Sequence, residues 1–399
     1  MSDARPPHVL LLGGFYYLFA RSPGLPLRVT CLRDDPYDED LALRCIGEVV
    51  RADPRDPAAI ATVARAVHAR DPLDAIVTYH DATMPIAAQV AEDLGIAPAG
   101  SAEAWAASTD KTRMRRLLHA AGVDDTPFRR CDSIEQLRQF VAETGPAIVK
   151  PVTGSAGRSV TAVAGPDDVP GAWQFVQAEL ATGGVLAEAL LTGQEYSVET
   201  LSVQGRHQLV AVTTKSTSGA PWFIELGHAV DLQLPAELVE LATRTVTAAL
   251  DAVGHRSGPC HTEIMVDGGT ARVVELNPRV AGDQIWEIVQ LATGVDLFAG
   301  YLLTAAGLQP PPAWRSAGAA VRFVTAPEAG LAVEYRGVQQ ARLAPGVVRV
   351  VLPELPRQVR PLLSSEDRLG FVVAIGESRD EAAARAEAAA GAVEVVVQA

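Results

Sequence analysis

The sequence of 399 residues predicts a protein of mixed α/β and α+β class that begins with a parallel sheet. Near the N-terminus, strand-like and helix-like stretches alternate, which is typical of parallel strands joined by crossover helices. Farther along, the turn signal Asp267-Gly-Gly269 joins two strand-like runs and indicates an antiparallel hairpin. The proline-rich stretch Leu308-Gln-Pro-Pro-Pro312 then breaks the pattern and predicts a linker before a small C-terminal α+β part.

In the N-terminal part, apolar runs predict strands at residues 8–14, 29–32 and 75–79. Apolar residues at helical spacing predict helices at 57–70 and 82–94, the second of which ends at Gly95. We interpret Gly13-Gly14 as a structural turn, because the full GxGxxG motif of dinucleotide-binding proteins is missing. A dinucleotide-dependent dehydrogenase would rest on these two glycines alone.

The central part is predicted to begin with a helix that starts at Thr109-Asp-Lys111, reaches about Ala121 and is closed by Gly122. A further helix covers 133–144, where Ser133 is the expected N-cap. The remaining predictions are strands at 146–151, 160–163, 185–191 and 195–203, helices at 238–253, 285–293 and 297–306, β-type runs at 320–325, 346–352 and 370–375, a helix at 379–390 and a strand at 393–397.

The composition argues against several classes of protein. The net charge is −14 and no Lys/Arg cluster occurs, so a nucleic-acid-binding protein is not expected. No run of 18 apolar residues predicts a membrane span, and the N-terminus lacks the basic and apolar regions of a signal peptide. The cysteines are scattered without a CxxC pair, which favours reduced thiols in a cytoplasmic protein over structural zinc: Cys31, Cys45, Cys131 and Cys260.

A candidate metal site lies in the predicted hairpin. Glu275, Asn277 and Arg279 alternate along one strand and so share a face, and Glu263 lies on the preceding strand. Oxygen ligands of this kind suit a hard cation such as Mg²⁺, and an adjacent arginine suits a phosphate or a carboxylate. The alternative interpretation is a solvated face at the end of a hairpin.

Phosphate-binding features lie upstream of this hairpin. Lysine is scarce, and Lys111, Lys150 and Lys215 fall where a phosphate site would need them. Lys150 ends a strand and precedes the small-residue loop 153–159, whose backbone N–H groups suit an anion, although an ordinary hairpin loop is an alternative. Glu188 and Glu195 flank an extended hinge that suits a nucleoside, and the alternative there is a charged edge strand.

The order of these motifs over about residues 8–310 resembles the ATP-grasp superfamily, in which two α+β subdomains clamp ATP. The resemblance divides the chain into domains at 1–105, 106–204, 205–310 and 311–399. It implies that three lysines contact ATP under a loop containing Ser155 and Gly157: Lys111, Lys150 and Lys215. It also implies that Glu188 with the backbone of Ala189 and Leu191 binds the adenine edge, and that Glu195 binds the ribose. The implied ligands of two Mg²⁺ ions, which Mn²⁺ can replace, are Glu263, Glu275 and Asn277.

Within the superfamily, the chain is most similar to the carboxylate–amine ligases of the L-amino-acid ligase group. The segment Phe223-to-His228 resembles a loop of that group, Asn277-Pro-Arg279 with Gly282-Asp283 resembles its substrate-carboxylate segment, and Ser364-to-Gly376 with Asp380-Glu-Ala-Ala383 resembles its lid-like C-terminal domain. His228 and Arg279 are therefore the candidate catalytic residues, whereas His80 and His261 are expected to be structural. Asp81 replaces the Glu of many relatives, which leaves its contribution open.

The implied reaction joins an amino acid or related carboxylate to an amine through an acyl phosphate, with ADP and phosphate released. The alternatives are an ATP-grasp carboxylase or formate-type ligase of nucleotide biosynthesis, and a non-catalytic ATP-binding module. The expected partners are small-molecule substrates, without nucleic acid or membrane, and a second copy of the chain in a homodimer. Three aromatic residues either line a side-chain pocket or belong to the core: Trp222, Phe223 and Trp286.

Overall fold

The computed structural model describes residues 5–13, 24–34, 47–80, 83–96, 101–154, 159–178, 184–313 and 315–398. The N-terminal part forms the predicted parallel sheet, in the order β3-β2-β1-β4. Its elements are β1 His8–Leu12, β2 Arg28–Arg33, β3 Gly47–Arg51, helix α1 Pro57–Arg70, β4 Ala75–Thr78 and helix α2 Met84–Asp93. The side chain of Asp56 accepts a hydrogen bond from the Ala58 N–H and fixes the start of α1.

Two helices and a small antiparallel sheet follow. Asp110 ends the first helix and caps the second, because its side chain accepts a hydrogen bond from the Arg113 N–H. The sheet has the order β5-β8-β6-β7. Its apolar core lies between the strands and the helices Ile134–Thr144 and Val169–Ala178, which cover one face of the sheet. The elements are α3 Ala102–Thr109, α4 Lys111–Ala120, β5 Phe128–Cys131, α5 Ile134–Thr144, β6 Ala147–Pro151, β7 Thr161–Val163, α6 Val169–Ala178 and β8 Val185–Ala189.

An eight-stranded sheet forms the centre of the molecule, in the order β13-β12-β9-β10-β11 followed by three strands of the C-terminal part, Gly318–Val324, Gly370–Gly376 and Val347–Val351. Its first part comprises β9 Gln194–Val203, β10 Arg206–Thr217, β11 Glu225–Val230, α7 Ala236–Ala252, β12 Gly258–Asp267, β13 Thr270–Asn277, α8 Ile285–Thr293 and α9 Leu297–Ala305. No single helix of the described part is long and apolar enough to cross a membrane, although α8 and α9, bent by 91° to each other, together pass by length and composition.

The C-terminal part extends the same sheet through β14, β18 and β16, and adds a separate sheet of order β17-β15-β19. Its elements are β14 Gly318–Val324, β15 Gly330–Arg336, α10 Val338–Leu343, β16 Val347–Val351, β17 Arg357–Val359, β18 Gly370–Gly376, α11 Arg379–Gly391 and β19 Glu394–Gln398. Because β11 pairs with β14 from Gly227 to Val230, the C-terminal part is hydrogen-bonded directly to the centre of the molecule.

The structure corrects one local prediction and adds elements that the sequence patterns did not indicate. The segment 223–228 was expected to be a loop, but Glu225–Val230 is a strand between β10 and β14. A glycine weakens strand propensity, yet Gly227 is required here because a Cβ atom would lie 2.6 Å from the Val321 carbonyl oxygen. The elements absent from the predictions are β3, α3, β5, α6, β10, β15, α10 and β17.

Candidate active site

A cavity of about 450 Å³ is lined by residues from both the small sheet and the eight-stranded sheet. The predicted site residues that the structure describes all line it: Lys111, Lys150, Glu188, Ala189, Leu191, Glu195, Lys215, His228, Glu263, Glu275, Asn277 and Arg279. Ser155, Gly157 and Asp81 lie outside the described residues. The chain contains only three lysines, and all three are in this cavity.

One end of the cavity is formed by the hairpin of β12 and β13, as the turn signal predicted. Glu263 lies directly opposite Glu275, and the next-but-one pair is His261 opposite Asn277. This register brings the two carboxylates and the carboxamide together at one end of the strand pair. We call these three residues, Glu263, Glu275 and Asn277, the metal end.

Arg279 does not lie on the strand, in contrast to the prediction that one strand face carries it with Glu275 and Asn277. Strand β13 ends at Asn277, and the N–H of Arg279 donates to the Asn277 carbonyl oxygen at 2.8 Å. Arg279 therefore begins a turn, and its guanidinium also donates to the Val280 carbonyl oxygen at 3.2 Å.

A buried lysine joins the metal end to the part of the cavity formed by Lys150, Glu188 and Glu195, which we call the nucleotide side. The Lys215 ammonium lies 2.6 Å from Glu263, 2.7 Å from Glu195 and 3.6 Å from Glu225. Burial raises the pKa of Glu263, but Lys215 and His261 outweigh it and hold that pKa well below its usual range. Burial raises the pKa of Glu195, and the Lys215 ammonium only partly offsets this.

The imidazole of His261, which was expected to be structural, extends the same network. Its Nδ1 atom lies 2.6 Å from the buried Glu199 carboxylate, and its Nε2 atom lies 3.5 Å from Glu263. Burial lowers the pKa of His261, but the two carboxylates outweigh this and raise it to about 10. The protonated form of His261 is therefore favoured, and it lies next to the Glu263 carboxylate of the metal end.

The nucleotide side contains a second buried ion-pair network. The Glu188 carboxylate lies 2.5 Å from Lys150 and 2.6 Å from Arg115. Burial raises the pKa of Glu188, but these two cations outweigh it and lower the pKa to about 2. The guanidinium of Arg115 also donates to the Val273 carbonyl oxygen at 2.6 Å and contacts Asp124 at 3.3 Å. The network ties helix α4 to the small sheet and to the hairpin.

This network changes what the hinge after β8 can offer to a nucleobase. Both carboxylate oxygens of Glu188 already have cationic partners, and the N–H of Ala189 donates to the Pro127 carbonyl oxygen at 2.9 Å. Glu188 is therefore best described as the residue that holds Lys150 in place. Other backbone groups of the hinge, next to Leu191, would then be the ones to bind an adenine edge.

Another part of the cavity is built around Arg279, next to the metal end, and residues of the C-terminal part line it. We call it the acyl end and define it by Arg279, His228, Asp283 and Arg368, all of which line the cavity. Arg368 forms a two-pronged ion pair with Asp283, at 2.8 and 2.6 Å, and His228 Nε2 lies 3.5 Å from the same carboxylate. Burial raises the pKa of Asp283, but the contacts with His228 and Arg368 outweigh it and leave that pKa well below its usual range.

Sequence reasoning did not find Arg115, Arg368, Glu225 or Ser365, which all line the cavity. Arg115 had a signal, because it follows Lys111 by one helical turn and so shares its face of α4. The other three meet only through the fold: Ser365 donates to the Glu225 carboxylate at 2.5 Å across 140 residues of chain.

The three aromatic residues separate into two environments. Trp222 and Phe223 line the cavity, whereas Trp286 packs edge-on against Phe298 in the apolar core. His80 packs against Gly13, where a Cβ atom would lie 3.4 Å from the imidazole ring. Gly13 has a φ of 67°, which agrees with its interpretation as a turn residue.

Comparisons with known proteins identify the family and the fold of the chain. Three family models match the chain: an ATP-grasp N-terminal domain at residues 24–97, an ATP-grasp domain at 143–287, and an L-amino acid ligase C-terminal domain 2 at 322–398. The chain belongs to the ATP-grasp superfamily. The predicted family and fold class are confirmed, and this ATP-grasp ligase is an enzyme of a family that forms C–N bonds.

Two relatives and one solved structure illustrate where the ATP-grasp ligase lies in its family. It is 29% identical over 312 residues to a formate-dependent phosphoribosylglycinamide formyltransferase of Paraburkholderia xenovorans, covering 74% of this chain and 73% of that protein. It is 28% identical over 287 residues to an uncharacterized protein of Sinorhizobium fredii, covering 68% of this chain but only 58% of that protein. An L-amino acid ligase from Bacillus licheniformis has the same fold, with a TM-score of 0.78, 22% identity and coverage of 100% of both chains.

ATP-grasp enzymes use ATP and Mg²⁺, and the metal end has suitable donors. Glu263, Glu275 and Asn277 offer only oxygen atoms, which Mg²⁺ prefers. Two ammonium groups already lie against this end, Lys215 at 2.6 Å from Glu263 and Lys111 at 3.3 Å from Glu275. Within the described ranges, no three His, Cys, Asp or Glu side chains are grouped to hold a metal by themselves.

Proposed function

We propose that this chain is an ATP-dependent carboxylate–amine ligase that joins an amino acid or related carboxylate to an amine through an acyl phosphate. The observation that carries the proposal is the position of Arg279. It lines the same cavity as Glu275 and Asn277 and lies just beyond the strand that bears them. A guanidinium beside a metal–phosphate site suits a carboxylate that must approach the γ-phosphate.

On the nucleotide side, the chain's own residues bind and neutralise ATP. Lys111 and Lys150 face the phosphates, Lys215 links the nucleotide to the metal end, and Glu195 binds the ribose. Mg²⁺, for which Mn²⁺ can substitute, neutralises charge on the transferring phosphoryl group when bound at Glu263, Glu275 and Asn277. These roles are supported by the shared cavity and by the ion pairs that hold each side chain in it.

The chemistry then takes two steps. An oxygen of the substrate carboxylate attacks the γ-phosphorus of ATP, which gives an acyl phosphate and ADP. The amine attacks the acyl carbon, phosphate leaves, and the amine loses a proton. Arg279 orients the carboxylate and stabilises the oxyanion of the tetrahedral intermediate, with His228 beside it. Closure by the C-terminal residues Ser365 and Arg368 keeps water from the acyl phosphate.

A pairwise panel of amino acids tests the proposal. We expect phosphate release only with particular carboxylate–amine pairs, together with a product whose mass equals the sum of the two substrates minus water. The matched control is Glu240→Ala on the exposed face of α7, which should behave like the unaltered protein. If no pair in a broad panel stimulates ADP release while ATP still binds, the chain is a non-catalytic ATP-binding module.

The three lysines give an independent test of nucleotide binding. Because every lysine of the chain lines the cavity, an amine-reactive reagent modifies only these side chains and the N-terminal amine. We expect MgATP to protect Lys111 and Lys150 from the reagent, as measured by mass spectrometry of the modified peptides. Unchanged modification of both lysines at saturating MgATP would contradict the assignment of the nucleotide side.

A second candidate is a formate-type ligase. It is favoured by the 29% identity to a formate-dependent phosphoribosylglycinamide formyltransferase. The two candidates share every residue of the nucleotide side and the metal end, so only the carboxylate distinguishes them. ADP release that depends on formate, or on bicarbonate for a carboxylase, in place of an amino acid would favour this alternative.

A further inference from the structure

The turn that follows Arg279 has an unusual backbone. Asp283 and Gln284 are consecutive residues with φ angles of 51° and 61°. Side chains other than glycine rarely adopt this left-handed region, and two such residues in succession are rarer still. A backbone of this kind persists only where its surroundings hold it in place. The turn lies between Arg279 and helix α8. Its backbone conformation therefore determines the position of Arg279 relative to α8.

Each of these two residues is held by a different arginine of the C-terminal part. Arg368 makes the two-pronged ion pair with Asp283. Arg349 donates to the Gln284 side-chain oxygen at 2.8 Å and pairs with the buried Glu287 at the start of α8. Both arginines come from a part of the chain more than 60 residues away, so the turn is fixed from outside.

Besides Asp283, other groups of the protein hold the guanidinium of Arg368, which favours a role in holding the turn. Its remaining contacts are with backbone: it donates to the Ser365 carbonyl oxygen at 2.7 Å and to the Glu225 carbonyl oxygen at 3.2 Å. The guanidinium also stacks on the Phe323 ring, 3.7 Å from its centroid. A guanidinium engaged by a carboxylate, two carbonyl groups and an aromatic face is a fixed structural element.

We propose that Arg368 and Arg349 are positioning residues, through which the C-terminal part holds the turn at 283–284 in the conformation that presents Arg279 to the acyl substrate. The inference rests on the proposed ligase function of the cavity. It assigns the C-terminal part a role in the acyl step that is separate from ATP binding. Release of either arginine would let the turn relax, and Arg279 would move relative to the metal end.

A third arginine of the same part provides a matched control. Arg379 pairs with Asp231 at 2.7 Å and so also joins the C-terminal part to the central sheet, at the end of β11. Neither residue of this pair lines the cavity. Loss of Arg379 therefore removes an ion pair across the same interface without touching the turn.

The experiment compares Arg368→Ala, Arg368→Lys and Arg379→Ala in the full chain. Misplacement of a catalytic group by about 1 Å lowers turnover on the order of 10²-fold, so we expect a loss of this order in kcat for Arg368→Ala. The KM for ATP should stay unchanged, and less amide should form for each ADP released. Arg368→Lys keeps the positive charge but cannot form the two-pronged ion pair, so its kcat should lie between those of the unaltered protein and Arg368→Ala. It replaces the alanine variant in the comparison if that variant does not fold. Equal losses in Arg368→Ala and Arg379→Ala would overturn the proposal.

Hydrogen exchange separates failure of this proposal from failure of the proposed function. The backbone amides of residues 279–287 should exchange faster in the Arg368 variants than in Arg379→Ala, whether or not any amide product is found. If the unaltered protein makes no amide but this difference in exchange is present, the proposed ligase function is wrong and the proposal that Arg368 holds the turn is supported. If exchange at 279–287 is the same in all variants, the proposal that Arg368 holds the turn is refuted.

Discussion

The metal end and the acyl end of the cavity are built in different ways. Glu263, Glu275 and Asn277 lie on two paired strands of the central sheet, where backbone hydrogen bonds fix their separation. Arg279 lies past the end of its strand, before two left-handed residues that distant arginines hold. The metal end is therefore set by local pairing, and the acyl end depends on contacts from the C-terminal part.

The two ends also differ in charge. Carboxylates dominate the metal end, where Lys111 and Lys215 balance them, and guanidinium and imidazole groups surround the acyl end. The carboxylate oxygens of the metal end suit Mg²⁺, and the cationic groups of the acyl end suit a carboxylate, as the proposed reaction requires. Several substitutions test this comparison, beginning with the one of largest expected effect.

Glu275→Ala should abolish amide formation and leave the protein folded, because it removes one of the two carboxylates that would hold Mg²⁺. We expect turnover to fall by at least about 10²-fold, the scale for losing a group that stabilises transition-state charge. The measurement is product formation at saturating Mg²⁺, with circular dichroism to establish folding and Glu240→Ala as the control. Turnover near that of the unaltered protein would remove the metal end from the mechanism.

Lys215→Met tests whether the metal end is held together electrostatically. The substitution keeps the length of the side chain but leaves Glu195, Glu225 and Glu263 without their shared ammonium group. Breaking a buried ion pair costs roughly 3–5 kcal/mol, so the free energy of unfolding should fall by about that amount. Urea unfolding at neutral pH measures it, and Arg244→Met on exposed α7 is the control. A loss no greater than that of the control would show that the carboxylates do not depend on Lys215.

Arg279→Ala should leave the metal end intact and impair the acyl step. The expected loss in kcat/KM is on the order of 10²-fold if Arg279 stabilises an oxyanion. ATP protection of Lys111 and Lys150 should be unchanged, since their ion pairs are with Glu275 and Glu188. An effect confined to thermal stability would mean that Arg279 is a structural residue, and the distinction between the two ends would lose its functional meaning.

The same contrast explains how much of the molecule the sequence predicted. The hairpin that carries Glu263, Glu275 and Asn277 was predicted because period-two alternation and a glycine turn are local signals, and β12 and β13 follow them. Helix α1 was predicted with its observed ends from apolar residues at helical spacing, and in the structure Asp56 caps its start.

What the sequence did not indicate depends on distant parts of the chain. Arg368 is 85 residues from Asp283, and no periodicity relates them. Strand β11 contains Gly227 and two charged or polar positions, and it exists because β10 and β14 pair with it on both sides. Arg279 was placed on the strand face because alternation was continued two residues too far, past the point where β13 turns.

The smallest expected effect concerns pH and the nucleotide side. The pKa of Glu188 is lowered to about 2 in the folded protein from an ordinary value of 4.5. A carboxyl group with a lowered folded pKa contributes stability above its unfolded pKa and loses it as the pH falls towards the folded value. We therefore expect the Glu188 network to lose about 2 kcal/mol of stability between pH 6 and pH 3. Glu188→Gln lacks the titrating group, so its stability should fall less steeply with acid over this window, as measured by urea unfolding at each pH. Parallel acid profiles for the two proteins would show that Glu188 is not held as a buried carboxylate by Arg115 and Lys150.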